Sequence, residues 1–492
     1  MFLGIDLGTS ELKALLTDDD GKVVASAGRS LRVERPQSRW SEQDPRMWWQ
    51  ATLDAVGDLK QSHRAATQAV RAIGLSGQMH GATLLDRHDR VLRPAILWND
   101  TRADAECDEL TRLAPNLLAT TGNVAMPGFT APKLLWVANH EPLVFSQVSS
   151  VVLPKDYLRL CLTGDRKSDM SDASGTLWLD VGARRWSDEL LTLCKLTTAH
   201  MPTLCEGNAA AGYLRQDVAN AWGIRHPVVV AGGGGDNAAS AVGVGAVSDG
   251  EGLISLGTSG VIFVVNDRFR PNTQSGLHAF CHALPGRWHQ MSVMLSAASC
   301  LRWVTKLCGV ASEAELLQEI AAAGSQISRA APIFLPYLSG ERTPHNDPYA
   351  QGVFFGMTHE TDRAALGYAV LEGVAFGLAD GLAALVASGT SPTSLSLVGG
   401  GSRSDYWAQL VANTLRVTAV THPSSEVGAS IGAARLAMMA TGVSEQDACR
   451  RPQVLKEYLP QSASISTLAE RLHRFRAIYP AVRSIYRRSQ IH

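Results

Sequence analysis

The most constraining feature of the sequence is the stretch from Val228 to Asn237, where three valines and an alanine run into four consecutive glycines. A short run of β-branched and small apolar residues predicts a buried strand. Glycines at its end suit a backbone with positive φ, or the close approach of other atoms. Asp236 and Asn237 come directly after the glycines. The stretch therefore predicts either a carboxylate held at a strand end for chemistry or a flexible turn with a solvated aspartate.

A second turn of related design lies at the N-terminus. An apolar strand pattern over residues 1–7 runs into Gly8, Thr9 and Ser10, and a second apolar run follows. We expect a β-hairpin with Asp6 near its tip. Its turn would present backbone N–H groups and hydroxyls, which are donors for phosphate oxygens. The alternative is a plain hairpin in which Asp6 makes a local hydrogen bond.

The same pattern recurs in the second half of the chain. Residues 255–264 repeat the order of strand, Gly-Thr-Ser and strand, and the apolar run 394–398 again leads into glycines. The recurrence predicts two similar α/β domains that face each other across a cleft, with a ligand site at the carboxyl ends of their strands.

Length and composition indicate a two-domain globular protein. A chain of 492 residues is too long for one compact core, so we expect an N-terminal domain over 1–245 and a C-terminal domain over 246–492. The hydrophobic fraction of 45% and the charged fraction of 18% are ordinary for a folded protein. A net charge of −1 gives no electrostatic basis for binding nucleic acid or an anionic membrane.

The cysteines and the N-terminus favour a soluble cytoplasmic protein. The eight cysteines are scattered without Cys-x-x-Cys pairs, which favours reduced thiols. The first residues lack a basic segment and Asp6 interrupts their apolar run, so we expect no signal peptide. No uncharged apolar window of about 18 residues follows, so we expect no membrane span.

Several further elements follow from local patterns. Asp44 before Pro45 predicts a helix start. Residues 82–92 read as a hairpin, and residues 293–303 as a buried helix. Residues 366–385 predict a long apolar helix, and the small residues of 428–437 predict a helix that packs closely. After Gly401 the pattern predicts only helices.

Two clusters of polar residues follow neighbouring predicted strands. Gln78 and His80 form the first; Asn99, Asp100 and Arg102 form the second. A single histidine such as His80 is more often structural, but beside the second cluster a polyol-binding surface becomes a competitive interpretation, because hydroxyls need several fixed donors and acceptors. The segment 278–282 has histidines at both ends, but without a nearby carboxylate cluster it is a weak candidate for a metal site.

Together these motifs resemble the FGGY carbohydrate kinases, a family of the actin/Hsp70/hexokinase superfamily. The resemblance rests on four glycine motifs and on two segments similar to the family's signatures: 4–10, 232–237, 255–259, 398–401, 128–137 and 352–372. It covers essentially the whole chain. It implies an α/β fold of two ribonuclease H-like domains that face each other across a catalytic cleft, and an enzyme that uses ATP and Mg²⁺.

Within the family, residues 76–81 and 97–102 are similar to the xylulokinases. A glycerol kinase would be expected to carry an Arg-Glu pair where this chain has Met79 and His80. The resemblance therefore implies transfer of the ATP γ-phosphoryl group to O5 of D-xylulose, in D-xylose catabolism. A kinase for another ketose or polyol, such as a ribulokinase, is the alternative.

The resemblance also implies roles for the motif residues. Asp236 would orient or accept the proton of the attacking hydroxyl, and Asp6 would act near the phosphates and Mg²⁺, through water. The sugar would contact Met79, His80, Asp236 and Asn237. The nucleotide would contact eight residues from both halves: Thr9, Ser10, Gly257, Thr258, Gly340, Gly400, Gly401 and Ser404.

A function of another class is a non-kinase ATPase on the same scaffold, such as a chaperone or a filament protein. The predicted helices after Gly401 leave no room for a separate peptide-binding domain, which disfavours that alternative, although a fold alone does not fix a function. The resemblance further implies a homodimer.

Overall fold

The computed structural model describes residues 1–324, 326–423 and 428–488. Its strands are β1 (Phe2–Leu7), β2 (Glu11–Thr17), β3 (Val23–Ser30), β4 (Glu42–Gln43), β5 (Ala72–Gly77), β6 (Thr83–Leu85), β7 (Ala95–Ile96), β8 (Ser150–Val152), β9 (Lys167–Asp169), β10 (Leu179–Asp180), β11 (Arg185–Trp186), β12 (Thr203–Cys205), β13 (Ala210–Tyr213), β14 (Val229–Ala231), β15 (Gly234–Gly235), β16 (Gly252–Leu256), β17 (Gly260–Asn266), β18 (His278–Cys281), β19 (Trp288–Met294), β20 (Ile333–Leu335), β21 (Val353–Phe355), β22 (Ser394–Val398), β23 (Thr418–Thr421) and β24 (Lys456–Tyr458).

Its α-helices are α1 (Pro45–Ser62), α2 (Arg64–Gln68), α3 (Asp104–Leu113), α4 (Leu117–Thr121), α5 (Thr130–His140), α6 (Pro142–Phe145), α7 (Pro154–Thr163), α8 (Met170–Ala173), α9 (Asp188–Leu193), α10 (Gln216–Trp222), α11 (Asp236–Val244), α12 (Ala298–Leu307), α13 (Glu313–Ala322), α14 (Ile327–Ala330), α15 (Arg363–Ala387), α16 (Asp405–Leu415), α17 (Gly428–Ala440), α18 (Glu445–Ala448) and α19 (Ser462–Arg488).

Two large sheets of related strand order form the framework. The first runs β13–β14–β5–β1–β2–β3, with β15 also paired to β5, and the second runs β24–β23–β22–β16–β17–β19–β18. Each contains a hairpin, β1–β2 or β16–β17, whose first strand pairs in parallel with the next strand of its sheet, β5 or β22. The predicted fold class, two similar α/β domains, is confirmed.

Several predicted elements are confirmed with nearly the expected bounds. Helix α1 begins after Asp44, whose side chain accepts the backbone N–H of Arg46. The predicted strand before the four glycines is β14, and the predicted long apolar helix is α15. The small-residue helix is α17.

The predicted hairpin over 82–92 is confirmed as a short one, because Leu85 bridges Val91 and the Leu92 N–H donates to the Leu84 carbonyl at 3.0 Å, while β6 also pairs with β8. Two local predictions are wrong. The predicted helix over 293–303 begins as strand β19, which continues to Met294, and α12 starts only at Ala298. A short apolar run fits a buried strand and a buried helix equally well, so neighbouring strands decide its form. The chain after Gly401 also adds two strands to the second sheet, β23 and β24.

Helix α15 is the one helix in the described ranges that is long and apolar enough to cross a membrane. Its most apolar 18-residue window has a mean hydropathy of 1.7, and 83% of that window is buried inside the fold. It packs against β19, β20, α12 and α16. Its charged residues Glu372 and Asp380 pair with Arg471 and Arg476 of α19, so α15 is the central core helix of the second half.

Helix α17 lies late in the sequence but packs on the first sheet. A Cβ atom at Gly74 of β5 would lie 1.7 Å from the Ala433 carbonyl oxygen, and a Cβ atom at Gly4 of β1 would lie 2.0 Å from that of Ser430. On its other side, a Cβ atom at Gly432 would lie 1.7 Å from the Ala239 carbonyl oxygen of α11. Backbone contacts this close require glycine, so α17 is tightly held between the sheet and α11.

Adding one methyl group at this contact should destabilise the protein. We expect Gly74→Ala to lower the free energy of unfolding by about 1–3 kcal/mol or more, because the obstructing atom belongs to the backbone. The matched control is Gly57→Ala on the exposed face of α1, where a Cβ atom meets nothing within 4 Å. That change should stabilise by about 0.5–1 kcal/mol. Chemical denaturation of both variants tests the contact, and equal effects would contradict it.

Candidate active site

Asp6 and the glycine run meet at one edge of the first sheet. In the parallel ladders, Asp6 of β1 pairs with Ser76 of β5, and Gly234 of β15 pairs with the same Ser76 from the other side. Neighbouring strands are about 4.8 Å apart, so Asp6 and Gly234 lie about 10 Å apart across Ser76. The strand end thus brings together two segments separated by more than two hundred residues in sequence.

The four glycines are needed mainly for close packing. Only Gly233 has a positive φ, of 77°, and a Cβ atom there would lie 2.3 Å from the Leu75 carbonyl oxygen. At Gly232 it would lie 2.1 Å from the Glu206 carbonyl oxygen, and at Gly235 it would lie 2.8 Å from the Met79 sulfur. The run ends as the short strand β15 and delivers Asp236 as the first residue of α11. It is a packed segment and not a solvated turn.

The Asp236 carboxyl group has a perturbed pKa. Burial, and next the negative charge of Asp6, raise the pKa of Asp236 to about 7. The backbone N–H and the side-chain amide of Asn237 donate to Asp236 Oδ1 at 2.7 and 2.8 Å and offset part of that rise. A carboxyl group with a pKa near 7 can exchange a proton at neutral pH. Asn237 is a predicted sugar contact, but its side-chain amide donates to Asp236 in this structure.

The Asp6 carboxylate fits a cation. Burial raises the pKa of Asp6 above its ordinary value, and its Oδ1 atom is buried without a hydrogen-bond partner in the described part of the chain. Asp6 also lies close enough to Asp236 for the two charges to interact. Two neighbouring carboxyl groups and one orphaned oxygen are a donor set that suits a hard divalent cation.

The two predicted phosphate hairpins are not equivalent. The Thr9 hydroxyl donates to Gln78 Oε1 at 3.0 Å and accepts the indole N–H of Trp98 at 2.9 Å. Its proton is therefore committed within the fold, and the expectation that this hydroxyl donates to a phosphate needs correction. Ser10 and Thr258 have exposed side chains. Their hydroxyls, with the backbone N–H groups of both turns, stay candidates for that role.

The glycines expected on the nucleotide side meet the second hairpin. A Cβ atom at Gly399 would lie 3.2 Å from the Gly257 nitrogen, whereas a Cβ atom at Gly400 would meet nothing within 4 Å, and Gly401 packs on Leu256. Ser404 accepts the Trp407 N–H at 3.2 Å and so caps α16. The open backbone at Gly400 beside Gly257 leaves space for a ligand.

Gly340 stands apart from these glycines. It lies in the loop after β20, with a φ of 76°, and a Cβ atom there would lie 2.8 Å from the Pro348 carbonyl oxygen. Its conformation and packing explain the glycine without a ligand, so its nucleotide contact stays a prediction.

The tautomer of His80 follows from its hydrogen bond. His80 has a φ of 69°, and its Nδ1 atom lies 2.7 Å from the Gly175 carbonyl oxygen. Because a carbonyl oxygen only accepts, Nδ1 carries the proton. Burial lowers the pKa of His80 to about 3, so the ring is neutral and Nε2 is an acceptor. Met79 packs on Gly235, which places both predicted sugar contacts beside the run that carries Asp236.

The sequence did not indicate what holds His80 in place. Lys133 Nζ donates to the His80 carbonyl at 3.0 Å and to that of Gly128 at 2.7 Å, and Thr130 Oγ1 donates to the His80 carbonyl at 3.1 Å. Lys133 is fully buried, and burial lowers its pKa to about 7. A lysine within an otherwise apolar helix was the sequence signal that Lys133 has specific polar partners.

Arg342, from the second half, was also missed. Its Nη1 atom lies 3.0 Å from His278 Nε2, and His278 Nδ1 lies 3.0 Å from Asn123 Oδ1. Both ring nitrogens of His278 are therefore committed, which argues against the metal site at 278–282. The His278 ring stacks on Phe280 at 5.4 Å between ring centroids, and Phe280 lies 6.1 Å from His80. The second half thus contributes to the wall around His80.

The polar residues after β7 form a buried ion network. The side chains of Asp100 and Arg102 are 0% and 2% exposed, and Arg102 lies 2.7 Å from both Asp100 and Glu42. The Arg102 guanidinium also lies 3.6 Å from the centroid of the Trp40 ring. Asp100 and Arg102 are thus paired within the fold, which argues against sugar contacts through their charges, although Arg102 Nη1 is buried without a hydrogen-bond partner in the described part of the chain.

Comparison with known proteins identifies relatives along the whole chain. Residues 1–243 match the FGGY family of carbohydrate kinases, N-terminal domain, and residues 252–441 match the C-terminal domain of the same family. The xylulose kinase of Escherichia coli (strain K12) is 52% identical over 482 residues, which cover 97% of this chain and 98% of that protein.

Solved structures are similar over the same length. The crystal structure of a xyloylose kinase from Brucella ovis has 51% sequence identity and a TM-score of 0.95, covering 98% of this chain and 99% of that one. The crystal structure of gluconate kinase from Lactobacillus acidophilus has 27% identity and a TM-score of 0.91, covering 99% of both chains.

Replacing Asp236 with asparagine should stabilise the ligand-free protein above about pH 4. The folded-state pKa of about 7 lies above the ordinary value of 3.8. Between those values the folded state binds more protons than the unfolded state, so the free energy of unfolding falls as pH rises. Each pKa unit corresponds to about 1.4 kcal/mol. Asp236→Asn removes this pH-dependent loss of stability. The difference in free energy of unfolding between the variant and the wild type should therefore grow up to about pH 7 and then level off.

Urea unfolding from pH 4 to pH 8, in a chelator and without nucleotide, measures this advantage. The control is Asp20→Asn, at an exposed carboxylate far from the cleft. An advantage of Asp236→Asn that stayed constant with pH would contradict the raised pKa.

Proposed function

Because the chain belongs to the FGGY family of carbohydrate kinases, we propose that it transfers the γ-phosphoryl group of ATP to O5 of D-xylulose, forming D-xylulose 5-phosphate and ADP. The observation that carries this proposal is the 52% identity to the Escherichia coli xylulose kinase across 97% of the chain. Met79, His80 and Asp236 lie together beside the glycine run, which supports a sugar site there.

Asp236 is proposed as the group that orients the attacking hydroxyl and accepts its proton. Its pKa of about 7 suits proton transfer at neutral pH. In the loose transition state of phosphoryl transfer, little deprotonation is needed before attack, so the fixed position of the carboxylate contributes more than its basicity. The close packing of the glycine run supplies that position.

Asp6 is proposed to hold Mg²⁺, through water. Its orphaned Oδ1 atom and its proximity to Asp236 support this assignment. Mg²⁺ bound there would neutralise charge on the transferring phosphoryl group. Asp6 itself would orient the water ligands of the ion, since Mg²⁺ retains much of its hydration shell.

The phosphates of ATP are proposed to lie between the two hairpins. Backbone N–H groups at Thr9 and Ser10, and the exposed hydroxyl of Thr258, would donate to them. The Gly257 N–H already donates to the Ser259 carbonyl at 3.1 Å, so Gly257 would line the phosphates without donating to them. Gly340, Gly400, Gly401 and the start of α16 at Ser404 would line the nucleotide. We further propose domains over 1–245 and 246–492, with α17 of the second packed on the first sheet.

The sugar is proposed to contact Met79, His80 and Asn237 in addition to Asp236. His80 Nε2 is an acceptor and would accept a hydrogen bond from a sugar hydroxyl, and a buried acceptor of fixed position discriminates between sugars.

A kinase for another sugar is the second candidate, favoured by the structural similarity to a gluconate kinase. Membership in a carbohydrate kinase family argues against a chaperone or filament ATPase. A homodimer, a cytoplasmic location and the absence of nucleic-acid or membrane partners stay predictions.

A panel of acceptors tests the proposed function. Sugar-dependent ADP release should have its highest kcat/KM with D-xylulose, among D-xylulose, D-ribulose, D-xylose, glycerol and D-gluconate. Asp236→Ala should abolish that release while ATP binding, measured by calorimetry, is retained. A higher kcat/KM with another acceptor would support the second candidate, and ADP release independent of any acceptor would support a non-kinase ATPase.

His80→Asn tests the sugar contact. Asparagine tolerates a positive φ and can retain the donor to Gly175, but it lacks the Nε2 acceptor. We expect KM for D-xylulose to rise about tenfold for the lost hydrogen bond, and KM for ATP to change little. The control is His226→Asn, whose imidazole lies 2.9 Å from the Val70 carbonyl. Equal rises in both KM values would make His80 a structural residue.

A further inference from the structure

Five charged side chains form a fully buried cluster behind the glycine run. They are Lys155, Asp156 and Arg159 of α7, Asp169 of β9, and Asp172 of α8, and each has a side-chain exposure of 0%. The Lys155 ammonium lies 2.6, 2.7 and 3.1 Å from the carboxylates of Asp156, Asp169 and Asp172. Since a cation of the chain already lies among the three carboxylates, the cluster needs no metal ion.

Such a cluster is expensive to bury. Removing charges from water costs several kcal/mol for each ion, and replacement by apolar residues is often neutral or stabilising. Burial raises the pKa of Asp172 well above its ordinary value, so this carboxyl group is costly to ionise where it lies. A costly cluster is better explained by a defined position that it maintains than by stability.

The cluster contacts the glycine run at its first residue. Arg159 donates through Nη2 to the Gly232 carbonyl and through Nε to the Ala231 carbonyl, the latter at 3.4 Å. Its Nη1 atom donates to Asp156 and to the Lys167 carbonyl, both at 2.6 Å. The guanidinium thus connects the end of β14 to α7 and β9.

A second contact lies at the last glycine. The N–H of Gly235, the residue before Asp236, donates to Ser171 Oγ at 3.0 Å. Ser171 Oγ in turn donates to Asp169 Oδ2 at 2.5 Å, and Asp169 pairs with Lys155. Because the Ser171 hydroxyl proton goes to the Asp169 carboxylate, the lone pairs of Ser171 Oγ are left to accept the Gly235 N–H. A carboxylate acceptor strengthens both hydrogen bonds.

The other N–H groups at the start of the run bond to backbone oxygens. Gly232 donates to Ala209 at 2.9 Å and Gly233 donates to Gly207 at 2.8 Å. The amide next to the catalytic aspartate is therefore held by a side chain, and that side chain is fixed by the charge cluster.

We propose that Ser171 is a positioning residue for phosphoryl transfer, which holds the Gly235 amide, and with it the Asp236 carboxylate, in the reactive geometry. The buried cluster of Lys155, Asp156, Arg159, Asp169 and Asp172 is the support that fixes Ser171 and the start of the glycine run. This inference rests on the proposed role of Asp236 in the kinase reaction.

Two serine variants of the full chain test the proposal. Ser171→Ala removes the oxygen that accepts from Gly235. Ser168→Ala is the matched control, because Ser168 is 1% exposed and donates to Asp156 of the same cluster at 2.6 Å, while its described hydrogen bonds do not reach the glycine run. We expect kcat to fall about 10- to 100-fold in Ser171→Ala, as for a reacting group displaced by about 1 Å. Both KM values should change little, and kcat should fall much less in Ser168→Ala than in Ser171→Ala, because Ser168→Ala leaves the Gly235 hydrogen bond intact.

A second measurement does not depend on catalysis. Hydrogen–deuterium exchange of peptides that cover 232–236 should be faster in Ser171→Ala than in the wild type and in Ser168→Ala. If the wild type fails to phosphorylate D-xylulose, the proposed function is wrong. Hydrogen–deuterium exchange would still test whether Ser171 holds the Gly235 amide. Equal exchange in the two variants, or an unchanged kcat in Ser171→Ala beside an active wild type, would overturn the positioning role.

Discussion

The contact of α17 with the first sheet and with α11 is the constraint on which the catalytic edge depends. Its carbonyl groups approach Gly4 and Gly74 so closely that no Cβ atom fits, and Gly432 approaches α11 in the same way. Strand β1 carries Asp6, and α11 begins with Asp236. A single helix from late in the chain therefore helps to set the spacing of the two carboxylates, and the electrostatic interaction that helps raise the Asp236 pKa depends on that spacing.

Around this edge, His80 and the glycine run are held by buried polar groups from other segments. Lys133 and Thr130 donate to the His80 carbonyl, which fixes a histidine whose φ is positive. Ser171 and Arg159 hold the two ends of the glycine run. Buried donors and ions cost desolvation free energy, and here that cost is offset by hydrogen bonds which give the site one geometry. This is the arrangement expected for chemistry that relies on positioning.

Much of the framework could be predicted from the sequence, because its signals are local. Valines before glycines predicted β14, Asp44 before Pro45 predicted α1, and the repeated Gly-Thr-Ser turn predicted two sheets of one design. The errors occurred where local pattern is ambiguous. Residues 293–294 are as apolar as a buried helix, but β17 pairs with them as a strand. Thr9 looked like a phosphate donor, but Gln78 and Trp98, distant in sequence, occupy its hydroxyl.

The sequence by itself determined the residue types of the site and their order: an aspartate near the end of β1, a Met-His pair, an aspartate after the glycine run, and glycines where backbone must approach backbone. Those requirements are local, since a φ value or a missing Cβ atom belongs to one residue. Only the tertiary structure decided the tautomer of His80, the pKa of Asp236 and the burial of Arg102 among carboxylates and tryptophans. Each of these depends on desolvation and on partners from distant segments, which act only once the chain has brought them together.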